Sequence, residues 1–222
     1  MPGSSKNRAV YESLRRSIRE LELPPATPID RERVAEELGV SRAPVGEALA
    51  RLREEGLVEI RPQHGTFVAP IRPDAIREAW MAREVIEPRI AAECAERVDD
   101  RLRQRLAENL ELQEAALAKG NLSGFYDLDE RLHAMLFEAA SAKRMLRFVD
   151  AIRAPLDRLR RLALPENDRA VETLSEHRRI IEAIHAGDAD LAAAAMRSHI
   201  RQVKRALDPA VLQLAAANGE AS

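Results

Sequence analysis

The sequence predicts a mainly α-helical fold in two parts. A short N-terminal head carries a small β-hairpin, and a longer antiparallel all-helical bundle follows. Three observations lead there. Apolar residues recur at helical spacing through most of the chain, beginning with Val10, Leu14, Ile18 and Leu21. Only two runs read as strands, Leu57-Val58-Glu59-Ile60 and Thr66-Phe67-Val68, on either side of Pro62-Gln63-His64-Gly65. Aromatic residues make up only 3% of the chain while alanine and leucine are abundant, which favours helices. With 45% hydrophobic and 32% charged residues, the 222-residue chain has enough apolar material for a core in one or two domains.

In chain order, residues 1–7 read as a flexible lead. A helix of about three turns follows, with Arg8, Arg15, Arg16 and Arg19 along it as a solvated face or as phosphate contacts, and Leu23-Pro24-Pro25 ends it. A second, short helix carries Val34, Ala35 and Leu38 and meets Gly39, which turns the chain sharply. Ser41 is a suitable N-cap for a third helix, and Pro44 falls in its first turn, where a missing N–H does no harm. Val45, Ala48, Leu49 and Leu52 share one face of that helix, and Gly56 stops it before the hairpin. Helix, tight turn, helix and hairpin form the pattern of a winged helix-turn-helix, which assigns residues 1–70 to a DNA-binding head. The third helix presents Ser41, Arg42, Ala43 and Pro44 at its tip, the part that enters the major groove in such motifs. His64 and Gly65 sit at the wing tip, suited to a phosphate or the minor groove. The alternative is a pair of hairpins used only for packing.

Residues 71–75 read as a linker, with Asp74 capping the next helix, and residues 76–222 as the bundle. Helices are expected over 75–98, 100–118, 122–140, 143–163, 167–186 and 188–206, with a weaker one near 209–216. Pro165 separates two of them, and Pro88 and Pro155 should kink theirs. Residues 1–72 hold 12 Lys and Arg against 11 Asp and Glu, a net of +1, which leaves −3 for the rest. Bulk charge therefore does not mark a nucleic-acid binder, and DNA binding rests on the motif. A single cysteine, Cys94, excludes an intrachain disulfide and reads as packed. No apolar run approaches membrane-spanning length and no leader opens the chain, which points to a cytoplasmic protein without a membrane partner.

A candidate site lies inside the bundle. Asp129 and His133 are four residues apart and share a helix face. His177 and His199 flank the turn at Gly187 at nearly equal separations, so antiparallel helices bring them to the same level. One carboxylate and three imidazoles suit a divalent transition metal, zinc or nickel foremost. An ordinary surface pair and two unrelated histidines are the competing reading of that spacing.

Several motifs together resemble a known family. Gly39-Val40-Ser41-Arg42-Ala43-Pro44-Val45, Glu47-Ala48-Leu49, Glu55-Gly56-Leu57-Val58 and Gly65-Thr66-Phe67-Val68 resemble the GntR family of bacterial transcription regulators. Two departures stand out. Gly46 occupies a position where members usually carry a DNA-contacting arginine, and Pro24-Pro25-Ala26-Thr27 replaces the usual Pro-Gly turn. Residues 76–206 resemble the FCD effector domain of the FadR-type branch, whose Asp-x-x-x-His, His and His ligand positions fall on Asp129, His133, His177 and His199. The resemblance implies a metal at the bottom of a pocket that ligates a small organic acid. It also implies a homodimer on a palindromic double-stranded DNA operator, and a ligand-responsive regulator, foremost a repressor of a metabolic operon. Arg83 matches an arginine that helps bind the acid; a structural pair with Glu87 is the other reading of that residue. The alternative functions are a metal-dependent hydrolase using the same four ligands and a regulator that senses the metal itself.

Overall fold

The computed structural model describes residues 2–163 and 167–217. Its elements are α1 (Pro2–Arg19), α2 (Arg31–Glu37), α3 (Arg42–Glu54), β1 (Val58–Arg61), β2 (Gly65–Val68), α4 (Pro73–Glu96), α5 (Asp100–Ala118), α6 (Leu122–Ala139), α7 (Lys143–Ala163), α8 (Asn167–Ala186) and α9 (Ala189–Ala217). The fold is mainly helical, with one two-stranded antiparallel sheet after the helix-turn-helix, as the apolar periodicity predicts.

In the head, Val10, Leu14 and Ile18 of α1 pack against Val45, Leu49 and Leu52 of α3, with Leu57 and Val68 of the hairpin closing the core. Asp30 caps α2 by accepting the N–H groups of Glu32 and Arg33. Gly39 (φ 60°) supplies the left-handed turn between α2 and α3. The strands pair in register Val58↔Val68 through Arg61↔Gly65, and Pro28 adds a bridge to Phe67.

The bundle is built on α4, which lies along α9. Trp80, Leu106, Leu132, Leu136, Ile180, Ile184, Met196 and Ile200 form a core separate from that of the head. Buried Cys94 donates to the Leu136 carbonyl, and burial pushes its thiol up to about 12, so it is packed and unreactive. The two cores meet along α7. Ala154 packs into the head core, and Arg158 donates to the Ala69 carbonyl at 2.6 Å.

Three local expectations are corrected. The lead is not loose, because α1 begins at Pro2. Asp74 does not cap α4: Arg72 is the N-cap, Pro73 opens the first turn, and Asp74 stands within that turn accepting the Ala75 N–H. The weak C-terminal segment is not separate, because α9 runs through Pro209 to Ala217. A proline removes only one helical N–H bond, and Leu207, Ala210, Val211 and Leu214 around it pack on the bundle core. α4 and α7 run through Pro88 and Pro155 as single helices, close to the spans expected. The break expected at Pro165 lies outside the described residues.

Candidate metal centre and nucleic-acid interface

Three helices bring the four predicted ligands together. α6 supplies Asp129 and His133 from one face, α8 supplies His177, and α9 supplies His199. All four are buried, at 0–2% exposure, and one donor atom from each lies within 4.8 Å of the others. His177 and His199 converge across the Gly187 turn with ring centroids 4.8 Å apart.

The surrounding hydrogen bonds decide which imidazole nitrogens face inward. His177 Nδ1 lies 2.7 Å from Gln113 Oε1, Gln113 Nε2 donates to Asn109 Oδ1, and Asn109 Nδ2 donates to the Leu128 carbonyl. A carbonyl can only accept, so the direction of the chain is fixed: His177 carries its proton on Nδ1 and leaves Nε2 as a lone pair. His199 Nδ1 lies 2.8 Å from the Glu176 carboxylate, itself held by Arg169. His133 Nδ1 lies 2.7 Å from Glu87 Oε2 without a well-aligned bond, and Glu87 is held by Arg83. Each ring thus has a partner beyond the cluster, as metal-binding histidines usually do.

The inward atoms behave as ligands in search of a cation. Asp129 Oδ1, His133 Nε2 and His177 Nε2 are buried with no hydrogen-bond partner. Three partnerless buried acceptors are costly unless something positive sits among them. His177 Nε2 and Asp129 Oδ1 are 3.3 Å apart, near the ~3.3 Å edge of a tetrahedron with ligand bonds of about 2.0–2.1 Å. The residues present therefore fit a divalent transition metal.

Electrostatics favour the ligand protonation states. Burial lowers the His199 imidazole to about 3, against the pull of Glu176, and burial also lowers His133. Both rings are neutral at pH 7, as ligation requires. Burial alone would raise the Asp129 carboxyl, but Arg160 and the neighbouring histidines hold it well below the carboxylate range. Glu87 is held low in the same way by Arg83 and His133.

Arg83 is 3% exposed, its Nε donates to Glu87 at 2.6 Å, and Trp80 lies beside it. The pairing with Glu87 is therefore formed, and through Glu87 the arginine reaches His133.

In the head, Ser41 occupies the N-cap position of α3 with extended backbone, yet its side chain makes no capping bond. Arg42 and Ala43 are exposed beside it, Pro44 is half-buried, and Arg42 pairs with exposed Glu32 at 2.9 Å. A Cβ at Gly46 would meet nothing within 4 Å, so no internal contact demands glycine there. Exposed His64 and Gly65 (φ 110°) follow Gln63 (φ 62°) at the hairpin tip, and Arg61 stacks on Phe67 beneath it. Of the α1 arginines, Arg15 and Arg19 turn inward, to Glu55 and to Asp157 with Glu130, so neither is a free phosphate contact.

The sequence offered Glu87 only as a partner of Arg83, not of His133, and did not reveal the outer partners Gln113, Asn109 and Glu176 or the buried Arg153, Asp157 and Arg160 of α7. A signal existed for two of them. Asn109 and Gln113 sit on the same stripe as Leu102, Leu106 and Ala116, where α5 is otherwise apolar.

A winged head joined to a helical bundle with an Asp-His₃ cluster is the architecture of a DNA-binding transcription regulator. The chain belongs to the GntR family of bacterial regulatory proteins: residues 6–68 match the model of that family, and residues 78–202 match the FCD domain. It is 34% identical over 201 residues to an uncharacterised HTH-type transcriptional regulator from an unstable DNA locus of Streptomyces ambofaciens, covering 90% of this chain and 84% of that protein. It is 29% identical to the HTH-type transcriptional repressor RspR of Escherichia coli K12, covering 93% and 90%. The E. coli McbR/YncC structure superposes with a TM-score of 0.82 at 18% identity, over 92% of this chain and 97% of that one, a likeness of fold. These families and relatives are transcriptional regulators, so the hydrolase alternative is set aside. No described helix is long and apolar enough to cross a membrane.

Proposed function

We propose that this regulator is a cytoplasmic, ligand-responsive repressor whose bundle holds a divalent metal, zinc or nickel, on Asp129, His133, His177 and His199. The observation that carries the metal is the set of partnerless buried acceptors, with His177 fixed in the metal-binding tautomer by Gln113. Residues 1–70 form the operator-reading unit, 71–75 the linker, and 76–222 the effector-binding and dimerisation unit. A symmetric dimer sets two heads on a palindromic operator. Ser41, Arg42, Ala43, Pro44 and Gly46 face the major groove, and His64 with Gly65 faces the backbone or minor groove.

The ion, once bound, supplies an electrophilic point for a small organic acid. Arg83 sits one residue beyond the cluster through Glu87, close enough to steer that acid by releasing part of its pairing. Four buried ligands favour a retained cofactor over a reversible metal signal. The repressor sign follows the name carried by RspR.

The test is metal analysis of purified protein, with thermal melting against a panel of small carboxylic acids before and after chelation. About one ion per chain, and an acid that raises Tm only in the metal-loaded protein, support the reading. Metal-free protein that neither takes up zinc or nickel nor responds to any acid overturns it.

A further inference from the structure

Helix α7 places a chain of buried charges between the metal cluster and the head. Asp129 accepts from Arg160 at 2.8 Å and lies 3.6 Å from Arg153. Both arginines also reach Asp157, at 3.9 and 3.3 Å. Asp157 accepts from Arg19, the last residue of α1, which also lies 2.8 Å from Glu130. The next residue of α7, Arg158, holds the Ala69 carbonyl just past β2. One helix therefore touches the Asp129 carboxylate through the face of Arg153, Asp157 and Arg160, and grips the head at Arg19 and, from the neighbouring Arg158, at Ala69.

The charges in this chain balance. Arg19, Arg153 and Arg160 stand against Asp129, Glu130 and Asp157, all at least mostly buried. Each acidic outer partner of the histidines has its own arginine, Glu87 with Arg83 and Glu176 with Arg169, and the third outer partner, Gln113, is neutral. Any positive charge added at Asp129 leaves the set with surplus cation in a poorly solvated place. The member that relieves this at least cost is Arg19. It is 9% exposed against 6% for Arg160 and 2% for Arg153, and it alone sits on an element of the head.

We propose that the charge carried at Asp129 sets how firmly the DNA-binding head docks on the bundle, transmitted by Arg153, Arg160 and Asp157 of α7 to Arg19 of α1. The identity of the natural charge change rests on the metal reading above: an ion bound at Asp129 loosens Arg19 and frees the head to reorient. The relay itself is a property of the protein's own residues. Coupling of this kind is reciprocal, so removing Arg19 must change metal affinity by the factor that metal changes docking.

Two measurements test it on the full-length protein: calorimetric zinc affinity, and deuterium uptake over residues 12–23 as a readout of docking. Arg19→Met removes a cation without touching a ligand and should tighten zinc about fivefold or more, whereas Asp157→Asn undocks the head without tightening zinc. General loosening of the fold would weaken zinc in both. Zinc should speed uptake over 12–23 in the wild type, a comparison that needs no variant. Asp129→Asn, free of metal, should speed it as well. Arg19→Met affinity within twofold of wild type, equal tightening by Asp157→Asn, or zinc binding without a change in uptake overturns the relay. If wild type takes up no zinc, the metal reading fails by itself and Asp129→Asn decides the relay: faster uptake supports it, unchanged uptake overturns it.

Discussion

Gln113→Leu should strip the cluster of its fixed tautomer while leaving every ligand in place. Gln113 is fully buried, and its amide is the only described link between His177 Nδ1 and Asn109. Leucine fills similar space and accepts nothing. His177 then loses the acceptor that keeps its proton on Nδ1, and Asn109 Oδ1 loses its donor. Removing such outer partners typically costs 10–100-fold in metal affinity, about 1.4–2.7 kcal/mol. Each buried group left unsatisfied costs a further ~1–3 kcal/mol of stability in the metal-free protein. Competition against a chromophoric chelator at pH 7.5 measures the first effect and urea unfolding the second. Gln113→Glu keeps the acceptor toward His177 and should retain more affinity than the leucine variant. Zinc affinity within twofold of wild type in Gln113→Leu would refute the reasoning, because the ring would then be oriented by something other than this chain.

Three further outcomes follow from the same geometry. Gly46→Ala adds a Cβ into open space in mid-helix, so it should stabilise the metal-free protein by about 0.5–1 kcal/mol in urea unfolding; weaker operator binding by the stabilised variant would mark Gly46 as a point of close approach to DNA. Arg42→Ala should weaken specific operator binding by about 1–3 kcal/mol with little change on random DNA, read by fluorescence anisotropy; an equal loss on both would make Arg42 a phosphate contact. The folded-state values of His133 and His199 are depressed, the latter to about 3. The unfolded chain therefore binds more protons below about pH 6.5, and these rings contribute stability at pH 7 that is lost as pH falls. Unfolding free energy of metal-free protein should drop between pH 7 and 5, above the range where ordinary carboxylates titrate, and His199→Gln should flatten that slope.

What the sequence could express was local. Gly39 and the apolar faces of α1 and α3 made the head readable, because turn chemistry and helical period act within a few residues. The four-ligand cluster was legible in part for a related reason: a four-residue spacing and two histidines symmetric about Gly187 translate into helix geometry, while the family resemblance was needed to set that cluster apart from an ordinary surface pair. The outer partners were not, since Gln113 finds His177 across 64 residues and Glu87 finds His133 across 46, which only packing decides. The α7 charges Arg153, Asp157 and Arg160 were not legible either. Their burial between head and bundle is a tertiary fact with no periodic signature, as the reach of Arg19 to Asp157 illustrates. At Pro2, Pro73 and Pro209 the helices extend beyond the spans expected from local pattern, and each proline stands where a helix accepts it, in a first turn or inside a helix that packing holds.

The most direct test of the central claim is operator affinity of metal-loaded protein, measured with and without the acid that raises Tm, in wild type and in His177→Gln. The account predicts a several-fold change on adding the acid to wild type and none in the variant, since a ligand shifts an equilibrium only through its differential affinity for the two states. Equal affinity with and without the acid in wild type, or the same shift in both proteins, would contradict it.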